Sequence, residues 1–156
     1  MLSTEFDLYF KNVKNFYLGC FSADNYPQNL KTFQFFVVNK DKSFEKGSHW
    51  MVVFLGDKNI EFFDSCGSNE SFVKQFLKFK QQFVCVFNDT PVQESNTNTC
   101  GEYCIYFAIS RLSNIDQSFG KVMNICFSHE LEKNNQKVLQ FCRNLQFCRD
   151  LNFFVE

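Results

Sequence analysis

The sequence predicts an α+β fold in which a small mixed β-sheet packs against helices. Three observations carry that expectation. Two β-type runs, residues 49–55 with Met51-Val52-Val53-Phe54-Leu55 and residues 59–64 with Ile60-Glu61-Phe62-Phe63, are separated only by Gly56-Asp57-Lys58, so together they read as a hairpin. Cys100 to Leu112 carries Cys104, Phe107, Ala108 and Arg111 at helical intervals. The stretch from about Phe119 to Phe154 reads as two or three further helices. A length of 156 residues suits one domain, 1–156, and a 45% hydrophobic content is enough to fill its core.

The remaining elements follow in order. Phe6, Tyr9, Phe10 and Val13 lie at helical spacing, which predicts a helix from Ser3 to about residue 15 with Ser3 or Thr4 as N-cap. Tyr17-Leu18-Gly19 and Asn25-Tyr26-Pro27 punctuate a loop. Phe33 to Val38 is β-rich and reads as a strand, and Asn39 to Gly47 as a charged turn. Ser68 to Lys80, with Phe72, Val73, Phe76, Leu77 and Phe79, is an amphipathic helix. Gln82 to Phe87 is a further strand, followed by a polar loop from Asn88 to Thr99.

Composition narrows the function classes. The net charge of −1 gives no general attraction to nucleic acid or to an anionic membrane. Lys74, Lys78 and Lys80 form at most a solvated basic helix face. No apolar run approaches the ~20 residues of a membrane helix, and Met1-Leu2-Ser3-Thr4-Glu5 has no signal-peptide pattern, so an intracellular protein is expected. The eight cysteines, with no C-x-x-C pair, then read as reduced thiols, mostly small core residues, and no metal site is expected. The 23 phenylalanines accompany abundant Asn and Lys, as in an AT-rich genome; a Phe-lined groove is the alternative.

Four side chains stand where local pattern would put reactive groups. His49 opens the first hairpin strand and Asp64 closes the second, so antiparallel pairing brings their 15-residue separation to one sheet edge. Gln93 lies in the polar loop, and Cys100 starts a helix behind the capping residues Asn96 to Thr99. A thiol is a weak nucleophile until an imidazole or a helix N-terminus favours its thiolate. A carboxylate orients the imidazole, and an amide can receive the oxyanion of acyl transfer. Gly101 lets backbone approach a substrate carbonyl, and the Cys100 amide is free to donate. Taken singly, each has an ordinary explanation: a buried helix-start thiol, a structural strand-start histidine, a turn-capping aspartate, a loop glutamine. Cys104 reads as core, and His129 as structural.

The joint pattern resembles the adenovirus-type (adenain-like) cysteine proteases, within the group that includes the SUMO-removing Ulp-type proteases. The residues that carry it are Gly47-Ser48-His49-Trp50, Phe62-Phe63-Asp64-Ser65-Cys66-Gly67, and Val92-Gln93 with Cys100-Gly101-Glu102-Tyr103-Cys104 beyond. Phe16-Tyr17-Leu18-Gly19 and a C-terminal helix with Phe141, Phe147, Phe153 and Phe154 widen the likeness over most of the chain. Asp64, where mammalian adenoviruses usually carry Glu, and the short length are closer to the virophage and Maverick/Polinton branch. The resemblance implies an adenain/Ulp-like fold with Cys100 as nucleophile, His49 as general base, Asp64 as its orienter and Gln93 as oxyanion donor. It also implies Trp50 and Gly101 beside the substrate. It further implies an endopeptidase cleaving viral capsid or core precursor proteins after Gly during virion maturation, in host cytoplasm and virion, as a monomer. No cofactor is expected to be required, although relatives use a peptide and DNA as activators; Cys85 lies roughly where one carries the thiol that bonds that peptide, and reads as a strand core residue. The alternatives are an isopeptidase that deconjugates ubiquitin-like proteins and a non-catalytic binding module on the same fold.

Overall fold

The structure is a computed structural model that describes residues 1–68, 73–76 and 83–150. Five strands form one mixed sheet in the order β1-β2-β3-β4-β5: β1 Tyr17–Phe21, β2 Phe35–Asn39, β3 Trp50–Leu55, β4 Asn59–Phe63 and β5 Val84–Phe87. The inner pairs β2–β3 and β3–β4 are antiparallel, and the outer pairs β1–β2 and β4–β5 are parallel. The helices are α1 Ser3–Tyr9, α2 Cys100–Ser113, α3 Phe119–Cys126 and α4 Leu131–Asp150. The expected α+β architecture is therefore the observed one.

The central strands are buried on both faces, which explains their near-continuous apolar sequence. Alternation sorts their side chains between two cores. Phe35, Val37, Val52, Phe54 and Phe63 face the helices, while Phe36, Val38, Met51, Val53, Leu55, Ile60 and Phe62 meet Val73 and Phe76 on the other side. The helix α2 crosses the first face. Phe107 stacks on Phe63 with ring centroids 4.2 Å apart. Arg111 reaches past it to the buried Glu61 of β4, donating to both carboxylate oxygens at 2.7 and 3.0 Å, with its guanidinium 4.9 Å above the Phe54 ring.

The elements differ from expectation in three places. Tyr17–Phe21, expected as loop, is an edge strand whose register slips between Tyr17 and Cys20, where Gly19 takes φ +124°. The N-terminal helix stops at Tyr9 and continues as a 3₁₀ turn, Lys11–Val13. Phe6 and Phe10 are both fully buried, and the chain then turns to feed β1. The N-cap is Leu2, not Ser3 or Thr4, and its backbone N–H is satisfied by the Glu5 carboxylate. Of the helix expected over Ser68 to Lys80, Phe72, Leu77, Lys78, Phe79 and Lys80 lie outside the described residues, as do Gln82, Phe153 and Phe154. Lys74–Phe76 form a 3₁₀ turn. Among the described residues no helix is long and apolar enough to cross a membrane.

Candidate active site

The hairpin β3–β4 is built as its sequence implies. Val52 pairs with Phe63 and Leu55 with Ile60, so the residue before β3 and the residue after β4 share one end of the sheet. There His49 Nε2 lies 2.6 Å from Asp64 Oδ1. The ionised carboxylate only accepts, so the imidazole donates through Nε2–H, and its other nitrogen, Nδ1, is left for the Cys100 sulfur, whose nearness favours the protonated ring. The backbone amides of Trp50 in β3 and Gly101 in α2 also favour the Cys100 thiolate. Three groups distant in sequence thus meet where one end of the sheet abuts a helix N-terminus.

Asp64 is held from several sides. The Cys66 amide donates to its Oδ1 at 2.8 Å. Asn88, at the end of the parallel neighbour β5, accepts from the Asp64 backbone N–H at 3.0 Å and donates to its carbonyl at 2.6 Å. Burial alone would raise the Asp64 pKa, but the bond to His49 and the histidine's charge hold it below the ordinary carboxylate value. Burial likewise opposes a charged His49, yet Asp64 and Cys100 together raise it to about 9. For Cys100, burial pushes the thiol up, and His49 with the two backbone amides brings it below its ordinary value. The neighbouring Cys66, although exposed, moves the other way, through burial and the negative charges of Asp64 and Cys100.

Gln93 is buried beside this cluster and lines the same cleft, which has a volume of about 780 Å³ and runs from Cys100 along the loop 41–48. Its amide oxygen accepts from Ser65 Oγ at 2.6 Å, and its Nε2 meets Thr97 O at 2.9 Å and Thr97 Oγ1 at 3.0 Å. Trp50 is half-buried, packs edge-on against Phe6 and donates its indole N–H to Met1 O at 3.1 Å, so it serves both cleft wall and core. Gly101 is buried: a Cβ there would lie 2.7 Å from Met1 Sδ, so the space beside it belongs to Met1. Thr99 is the N-cap of α2, but its hydroxyl turns to Thr97 and Asn135 instead of capping the helix. The first-turn amides are thereby left to the sulfur and the cleft. Cys104 is fully buried, Cys85 packs against the second core from β5, and His129 lines a separate cleft beside α3.

His49, Asp64 and Cys66 each place one metal-ligating atom within 4.8 Å of the others. The 2.6 Å His–Asp contact would subtend only roughly 80° at a zinc ion bound at ordinary lengths, well short of tetrahedral. The donor set as arranged fits a hydrogen-bonded relay better than a cation. Sequence reasoning missed Asn88, Thr97 and Met1. Only Asn88 had a signal, as a polar residue ending the strand parallel to the one that Asp64 ends.

No family model and no curated protein matches the chain. Among solved structures it is similar to the crystal structure of the ASFV pS273R protease, with 26% identity and a TM-score of 0.43. The match covers 62% of this chain and 40% of that one.

Proposed function

We propose that the chain is a cysteine endopeptidase. The observation that carries this reading is the Asp64–His49 hydrogen bond at 2.6 Å with Cys100 beside the ring at a helix N-terminus, where imidazole and thiol shift each other's pKa towards the charged pair. In this mechanism the Cys100 thiolate attacks the scissile carbonyl carbon. The resulting oxyanion is received by the Cys100 backbone N–H and by the Gln93 side-chain amide, which exchanges its contact with Thr97 Oγ1 for the oxyanion. Protonated His49 then gives its proton to the leaving amine as the C–N bond breaks. A water molecule attacks the thioester, His49 takes its proton, and the carboxylic acid departs as the thiolate returns. Asp64 holds the histidine tautomer throughout, and Trp50 and Met1 wall the cleft, with Gly101 covered by Met1.

The motif likeness to adenain-type proteases supports capsid or core precursor polypeptides as substrates, cut after Gly in host cytoplasm or virion. It also supports the virophage-like branch. The reading requires no metal or activator and treats the chain as a monomer. Cys100→Ala should abolish cleavage of a co-expressed capsid precursor, with new termini read by mass spectrometry in the wild type only. Gln93→Ala should lower kcat by roughly 10²–10³. Undiminished cleavage by Cys100→Ala ends the proposal; cleavage of a ubiquitin-like fusion but not of the precursor would favour deconjugation.

A further inference from the structure

We propose that Ser65 is a positioning residue that orients the oxyanion donor Gln93, so that the dipeptide Asp64-Ser65 sets both the general base and the oxyanion hole. The inference rests on the peptidase reading above. A glutamine amide presents an oxygen and a nitrogen of nearly equal size, and only the nitrogen can stabilise an oxyanion. Gln93 is 4% exposed, so water does not sort its two ends.

Its surroundings do. The Thr97 carbonyl only accepts, and Thr97 Oγ1 already gives its hydrogen to Glu94 O at 2.9 Å, so both require the nitrogen end. At the opposite end the Ser65 hydroxyl, 1% exposed, donates to the oxygen. Ser65 also fixes the backbone beneath, since its carbonyl accepts from the amides of Val92 at 2.9 Å and Gln93 at 3.0 Å. The Val92 carbonyl is tied in turn by Tyr103 Oη and Asn134 Nδ2. With the Ser65 hydroxyl removed, Oε1 would be a buried acceptor without a donor, and the amide would rotate to find one. Ser65 itself is too buried to touch substrate.

The experiment is a kinetic cycle of Ser65→Ala, Gln93→Ala and the double variant, with alkylation of Cys100 by iodoacetamide measured alongside. Ser65→Ala should lower kcat by about tenfold to a hundredfold, within the loss from removing the donor itself, and leave KM nearly unchanged. On the Gln93→Ala background it should cost nothing further. Alkylation at pH 6 should match the wild type, because the thiol–imidazole pair is untouched. A wild-type kcat, losses that multiply in the double variant, or alkylation falling in step with kcat would each overturn the role. If Ser65→Ala does not fold, Thr97→Val decides on the same cycle: a smaller drop in kcat, absent without Gln93, supports the role, and an additive drop or none refutes it. Failure of the peptidase reading looks different, because Cys100→Ala would then keep its activity whatever Ser65 does.

Discussion

The proton shared by His49 and Cys100 sets the pH range in which the site is armed. Burial disfavours charge on both partners, and their mutual attraction with Asp64 and the nearby backbone amides reverses it, raising His49 to about 9 and lowering Cys100. The thiolate–imidazolium form should therefore persist through neutral pH and fail on the alkaline side near pH 9, where the ring loses its proton. Iodoacetamide at pH 6 should label Cys100 and spare the more exposed Cys66, whose thiol is raised. In His49→Ala, burial acts on the Cys100 thiol without its main opponent, so labelling at pH 6 should stop; an unchanged rate would refute the pair. Stability follows the same linkage. The His49 value rises from 6.5 to about 9 on folding, so its contribution is complete below pH 6.5 and is lost as pH rises through 9. The lowered Asp64 contributes above its ordinary 3.8 and fades as pH falls through its folded value. The difference in urea midpoint between wild type and His49→Ala should shrink across pH 6.5 to 9.

At the scale of the elements, the turn after β4 does more than end a strand. Gly67 takes φ +82°, and a Cβ there would meet Asp89 O at 2.6 Å and Pro91 N at 3.1 Å, both backbone atoms. That close approach lets the Ser65 carbonyl reach the amides of Val92 and Gln93. Gly67→Ala should thus destabilise by about 1–3 kcal/mol and lower kcat by moving Gln93; urea denaturation and steady-state kinetics read the two effects, and a wild-type kcat would dissociate the turn from the donor. The hairpin and α2 were legible in the sequence because period-two and period-3.6 patterns are strong there and Gly56-Asp57-Lys58 marks the turn. The strand Tyr17–Phe21 was not, since all five positions are half-buried and Gly19 interrupts it. His49, Asp64, Gln93 and Cys100 could be singled out by residue type and order. Thr97 and the task of Ser65 could not, because bonds to the Gln93 side chain leave no period.

Across the whole molecule, the proposed site joins two bodies of structure that touch mainly through one apolar face. The sheet end carries His49 and Asp64, and α2 carries Cys100, so their alignment depends on how α2 docks. That docking rests on Phe107 stacked against Phe63, which also stacks on Phe127, and on the buried Glu61–Arg111 pair farther along the helix. Packed interiors transmit small displacements because they contain few voids. Phe107→Leu trims the contact without adding a polar atom. It should cost about 1–3 kcal/mol in urea denaturation. The more telling effect is on the thiol. A helix that settles by a few tenths of an ångström stretches the sulfur–imidazole bond but leaves the His49–Asp64 bond within the sheet, so the Cys100 titration should move up while Asp64 still holds the ring. The pH profile of alkylation in the folded variant measures this. A wild-type profile beside the expected loss of stability would mean that the helix N-terminus is anchored locally, by Met1 and Trp50, and not by the core beneath it.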